Sequence, residues 1–211
     1  MSEGWVPETD EGRSSAERYV KPANWKEAKM DGQTVQVWRA RLASRIVRLY
    51  EVWDEDNKPH RAKTKGELSH IKPRQEGKFG PDKVKEVWAA LFLDVDADRD
   101  VVWTISQWGV MSGLKEQIAE WGTPADGVIF DYDFVFVKGK AKGKTVYSVR
   151  VANASKGTAR HPLKPEQVER INALYADGFD LNKLADNGDP FPEAAGGGGA
   201  ADSQAGGDLP F

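Results

Sequence analysis

The stretch VKEVWAALFLDV, residues 84–95, decides how this chain folds. Side chains alternate along an extended chain. Val87, Ala89, Leu91, Leu93 and Val95 therefore share one side, and Glu86, Trp88, Ala90, Phe92 and Asp94 the other. Downstream, the acidic turn DADRD (96–100) leads into a second β-type run, VVWTISQ (101–107). Ser112 then offers an N-cap for a helix with Met111, Leu114, Ile118 and Trp121 on one stripe, closed by Gly122 and Pro124. Two more alternating runs follow, VIFDYDFVFVK (128–138) and KTVYSVRVA (144–152), joined by the lysine-rich turn GKAKG.

Upstream, TVQVWRARLASRIVRLYEVW (34–53) fits two periods. Leu42, Ile46, Leu49 and Trp53 suit a helix, whereas the β-branched and aromatic content and the following DEDNKP turn favour a long bent strand or a strand pair. Taken as one strand, it completes a set of five with one helix between the third and fourth. That order is the signature of the OB-fold, a small Greek-key barrel that commonly binds single-stranded nucleic acid.

The expectation is thus a mainly β chain with a five-stranded OB-fold barrel over 34–162. A flexible arm (1–33) precedes it; a helix (163–178) and a disordered, acidic, Gly-rich tail (179–211) follow. Asn24 and the residues WKEAKM read as a short helical turn, with Trp25 a packing lid. Residues 54–83 read as a long cationic loop. Pro165 opens a helix with Val168, Ile171, Leu174 and Tyr175 on one face and Gly178 as terminator. Whether that helix docks on the barrel, over its groove or on a second copy in a homo-oligomer is left open.

With 211 residues, 39% hydrophobic and 30% charged, the chain has room for one domain and its tails. No run approaches the ~18 apolar residues of a membrane span. The start MSEGWVPETDEG is acidic rather than signal-like, so a cytoplasmic protein is expected. The absence of cysteine excludes disulfides and thiolate chemistry. Charge is uneven: residues 177–211 carry seven acids against one base, and 138–170 nine bases against two acids. A basic body with an acidic tail suits a polyanion-binding domain, although acidic tails also serve solubility alone.

The expected DNA-binding residues follow from these patterns. Trp88 and Phe92 fall on the outer face of the strand at 87–95, where rings can stack on bases, and Trp53 and Trp38 could extend the platform. Arg39, Arg41 and Arg48 would stud the first strand, Arg61, Lys63 and Lys65 the loop, and Lys138, Lys140, Lys142 and Lys144 the last hairpin, with Arg150 pointing outward. Trp103 and Trp121 fall on core faces. No cofactor and no metal are expected. Asp94, Asp96, Asp98 and Asp100 mimic a calcium loop, but Arg99 stands where Gly is needed and Ile105 where Glu is needed. The three histidines lack ligand spacing, and no nucleotide-binding or nucleophile motif occurs. Asp131 and Asp133 on one strand face are the alternative, a magnesium-dependent nuclease. A second alternative is an adaptor that binds protein and no nucleic acid.

The chain ends Asp208, Leu209, Pro210, Phe211 after a glycine-rich tether. This resembles the C-terminal tip of bacterial single-stranded DNA-binding proteins, which recruits replication and repair enzymes. A terminal Phe and its carboxylate can anchor in a basic apolar pocket. The departure is that Asp208 alone is acidic next to the tip, which weakens the expected attraction to basic partners. The body also resembles bacteriophage single-stranded DNA-binding proteins, over roughly residues 46–162. The resemblance is carried by YEVWDEDNKPHR (50–61), EVWAALFLDV (86–95), TISQWGVMSGLKEQI (104–118), WGTPADGVIFDYDFVFVK (121–138) and TVYSVRV (145–151). It implies an OB-fold protein, not an enzyme, that coats and protects single-stranded DNA in phage replication, recombination or repair.

Overall fold

Eight strands, all paired antiparallel, form one sheet in the computed structural model, which describes residues 25–75, 81–124, 128–152 and 163–192. They are β1 (Lys26–Met30), β2 (Gln33–Leu42), β3 (Val47–Trp53), β4 (Pro59–Ala62), β5 (Lys85–Asp94), β6 (Arg99–Ile105), β7 (Phe134–Ala141) and β8 (Lys144–Val151). Helix α1 (Trp108–Trp121) joins β6 to β7, and α2 (Pro165–Ala176) follows β8. The order is β4-β3-β5-β2-β7-β8, with β1 beside β2 and β6 beside β5. The sheet is open: among the described residues β6 and β8 do not pair, so the five-stranded closed barrel is corrected to an open, mainly β architecture.

The expected first strand is two. Ala43 N–H donates to Leu91 O at 2.9 Å, and the Ser44 hydroxyl accepts from Leu91 N–H at 2.8 Å, in place of a ladder carbonyl. The chain bends there. Before the bend, Ala40–Leu42 pairs with Phe92–Asp94 and Gln36–Ala40 pairs with β7; after it, Val47–Glu51 continues along Lys85–Ala89. Residues expected as a helical turn at 25–30 are strand β1, held to β2 by a two-residue turn at Asp31 and Gly32, both with positive φ. The expected loop 54–83 contains β4 and a 3-10 turn, Gly66–Leu68, around a small core of Val52, Ala62 and Leu68. Helix α1 starts at Trp108, not at Ser112.

Both faces of β5 are buried. One face packs Ala90 and Phe92 with Trp38, Trp103, Phe134, Phe136 and the α1 residues Val110 and Leu114. The other packs Val87, Ala89, Leu91 and Leu93 with Ile171 of α2 and with Phe179, Leu181 and Leu184. A 3-10 segment, Leu181–Asp186, therefore continues the fold past the boundary expected at 178. Burial of each Val, Leu, Ile or Phe among them stabilises by about 1.5–3 kcal/mol, and with both faces covered the run at 87–93 is apolar throughout.

Helix α1 lies along the free edge of β8. Gly109 and Gly113 bring its backbone close: a Cβ on Gly109 would meet Tyr147 O at 2.8 Å. Gln117 Oε1 accepts from Val151 N–H at 3.2 Å, so the helix satisfies an edge donor of the strand.

Candidate nucleic-acid interface

The last hairpin is cationic throughout. Between residues 134 and 151 the chain has Lys138, Lys140, Lys142, Lys144 and Arg150 and no acidic residue. Lys138 is half-buried and the other four are exposed. Among the described residues none of the five has an ion-pair or hydrogen-bond partner through its side chain. Lys138 stands opposite Tyr147 and Lys140 opposite Thr145, on the sheet face that carries Phe136 and Val149; Arg150, opposite Val135, is on the reverse face.

The hairpin turns at Lys142 and Gly143, with φ of 50° and 76°. Positive φ at both central residues is the turn that matches strand twist, and Asn, Asp or Gly occupy it at least cost. The other positive-φ non-glycine residues described are Asp31, Asn57, Asp98 and Asn187, as that rule expects. Lys142 is the exception, a cation kept in a conformation that disfavours it.

A second cluster lies on β3 and its neighbours. The Arg48 guanidinium and the Lys65 ammonium each stand 5.5 Å from the centre of the Tyr50 ring. Arg48 also donates to Tyr50 Oη at 2.9 Å and pairs with Glu86 at 2.8 Å. Trp88, opposite Arg48, is half-buried and donates its Nε1–H to Glu86 Oε1 at 2.9 Å. Glu86 thus offsets Arg48 and pins Trp88. Lys63 and Lys65 are exposed.

The remaining expected contacts lie elsewhere. Trp38 and Phe92 are fully buried, with Trp38 stacked on Phe136 at 5.1 Å and its Nε1–H given to Asp94 at 2.9 Å. They are core rather than platform, because the second face of β5 is as dry as the first. Arg39 and Arg41 are no basic track: Asp133 takes Arg39 Nη2 at 2.6 Å and Arg41 Nε at 2.6 Å. Arg61 is largely buried against Glu51 at 2.9 Å. Trp53 donates to the same Glu51, under the Arg74 guanidinium.

The nuclease alternative loses its ligand pair. Asp131 and Asp133 precede β7, Asp131 is exposed, and both oxygens of buried Asp133 are engaged by arginine. Among the described residues no three His, Asp or Glu gather as a metal site. Asp208, Leu209, Pro210 and Phe211 lie outside the described residues.

Helix α2 closes the outer face of β5. Gln167 donates to Asp98 Oδ1 at 2.9 Å and Arg170 Nε to Asp100 Oδ2 at 3.0 Å. The Gln167 hydrogen bond, with Arg170 beside it, holds the Asp98 carboxyl below its ordinary value. The β5 residues beneath it, Val87, Ala89, Leu91 and Leu93, are aliphatic.

One residue that periodicity passed over is Trp108. It is 78% exposed at the start of α1, beside the β8 segment that faces Lys138. Its signal in the sequence is its place ahead of the helical stripe rather than on it.

No protein-family model matches this chain, and neither a curated protein nor a solved structure matches it.

Proposed function

We propose that this chain binds single-stranded nucleic acid, and single-stranded DNA in the first instance, without sequence preference and without catalysis. The observation that carries the reading is the last hairpin: five cations, no acid, no described partner, and a lysine held at a turn position that favours Asn. Unpaired cations on a hairpin gain by releasing counterions from a phosphate chain. Arg48, Tyr50, Lys65 and the half-exposed edge of Trp88 form a secondary contact, tempered by Glu86.

The strand connectivity supports an OB-type ancestry. A bent strand (β2 with β3) pairs with both β5 and β7, β5–β6 and β7–β8 are hairpins, and a helix joins the two pairs. This is the OB-fold's order without its closing pair; α1 lies along β8 instead. On the resemblance of its motifs, the protein coats single strands in phage replication, recombination or repair, in the host cytoplasm. Its Asp208–Phe211 tip would fetch partner enzymes. Among the described residues no helix is long and apolar enough to cross a membrane.

The test is fluorescence anisotropy of labelled oligo-dT against salt. Changing Lys138, Lys140, Lys142 and Lys144 together to Ala should reduce the log–log salt slope by roughly 3, since each phosphate contact on a single strand contributes about 0.7. Failure of the unaltered chain to bind even in dilute buffer would end this reading and favour the adaptor.

A further inference from the structure

We infer that Trp108 is a base-stacking residue: its indole receives one unpaired base of a strand whose phosphates follow the lysine hairpin. The inference rests on the nucleic-acid reading above and supplies a contact within it.

Among the described residues the exposed large hydrophobics are Trp108, at 78%, and Val146, at 44%. The other described tryptophans (25, 38, 53, 88, 103 and 121) are all partly or fully buried. Leaving an indole in water forgoes the burial that stabilises its siblings. Trp108 does not belong to the packing stripe of its helix, where Val110 and Leu114 are buried and Met111 and Ile118 pack beside them. Its neighbours at helical spacing are Met111, which packs against the core, and Ser112, both half-buried.

The indole is also well mounted. Gly109, the next residue, is pressed against β8 so tightly that a Cβ would meet Tyr147 O at 2.8 Å. The backbone under Trp108 is therefore fixed, and docking a base costs little ordering entropy. Tyr147 stands opposite Lys138, and Lys140 is two residues further along the same face. Directly opposed residues on paired strands are about 4.5–5.5 Å apart, so the backbone that carries the exposed ring rests on the strand paired with Lys138 and Lys140. Lys115 is an exposed cation two turns along the helix, and the nearest helix acid, Glu116, accepts from the Ser112 hydroxyl at 3.0 Å.

Charge selects the occupant. An apolar protein partner would want a ring of hydrophobic neighbours, and Val146 does not extend the patch, because it pairs with Gly139 on the opposite face from Tyr147. A ring flanked by lysines is the pattern of single-strand binding, in which any base offers a π-face.

The experiment uses the full chain with Trp108→Ala and Trp108→Phe, read by anisotropy with labelled oligo-dT and by intrinsic tryptophan emission. Trp108→Ala should weaken oligo-dT binding about tenfold, abolish most of the emission quenching, and leave both the salt slope and the urea midpoint unchanged. Trp108→Phe should keep most of the affinity. An abasic deoxyribose-phosphate oligomer should bind the wild type and Trp108→Ala equally. If the wild type binds oligo-dT and Trp108→Ala binds it as tightly, the stacking role is overturned while the nucleic-acid reading stands. The same holds if Trp108→Ala changes only the sedimentation of the free protein. If the wild type binds no oligonucleotide, the reading beneath fails first.

Discussion

Gly113 of α1 lies so close to Val149 of β8 that a Cβ added to the glycine would stand 2.9 Å from the valine Cβ. Carbon atoms rest at about 3.5–4.0 Å, so the helix and the strand meet through the missing side chain. Gly109 repeats the relation one turn earlier, against the Tyr147 carbonyl oxygen. Alanine ordinarily gains about 1 kcal/mol over glycine in a helix. Here overpacking, at about 1–3 kcal/mol, opposes that gain. We expect Gly109→Ala, which meets backbone, to lose about 1–2 kcal/mol, and Gly113→Ala, which meets a side chain, to lose less. A urea titration that shows a raised midpoint for Gly109→Ala at unchanged slope would contradict this packing.

Lys142 exchanges stability for charge. Replacing it with Asn, which tolerates a φ near 50°, should stabilise the chain by roughly 0.5–1 kcal/mol. The same change should reduce the salt slope of oligo-dT binding by about 0.7. Thermal unfolding and anisotropy on one preparation check both; a variant no more stable than wild type removes the argument that the turn is strained for a purpose.

Asp133 holds two arginines of β2, and Arg41 is only 2% exposed. Asp133→Asn should cost about 3 kcal/mol, because it breaks a buried ion pair. Asp131→Asn, at an exposed position, should cost under about 1 kcal/mol. Neither variant should alter nuclease assays with magnesium, in which the wild type is expected to be inert. Metal-dependent strand cleavage lost in either variant would restore the enzyme reading.

The docking of α2 is expected to weaken at both ends of the pH scale. Asp98 is held low by the Gln167 hydrogen bond and by Arg170. Its contribution is present above the ordinary aspartate value of about 3.9 and is lost as pH falls through the lowered one. Burial pushes Tyr175 up to about 12. Its contribution is complete below the ordinary tyrosine value of about 10 and fades as pH rises toward the raised one. NMR amide signals of Ile171 and Leu184 should therefore move toward unfolded positions before those of Ala90, in acid and in strong base. Asp98→Asn should flatten the acid limb; an unaltered limb would assign it to another group.

Deleting residues 194–211, which carry Asp202 and Asp208 and the tip, should tighten oligo-dT binding at low salt if the tail competes for the hairpin. Equal affinity with and without those residues would dispose of the competition.

Sequence pattern reached the strands that alternate and the helices that have stripes. The odd positions of β5 pack on one face as expected, and the helix from Pro165 is where its stripe put it. What the pattern could not distinguish was a ring facing water from a ring facing a second core: Phe92 alternates with Leu91 and Leu93 whether or not its side is covered. Arg39 and Arg41 looked like a free track because their partner, Asp133, is more than ninety residues away and is brought near by the pairing of β2 with β7. Strands β1 and β4 are short, 5 and 4 residues, and too polar to announce themselves. The lysine hairpin was legible because nothing long-range had to be known: its charge is local and its turn is written in consecutive residues.

The helix resting on β8 has a bearing on behaviour in a crowd. A bare sheet border invites an identical molecule to add its own border, and the result can grow without limit. Along Tyr147–Val151 that invitation is withdrawn by glycine-close contact and by the glutamine at 117. Copies pushed together at high concentration would touch there through helix surfaces rather than zip backbone to backbone, and could part again.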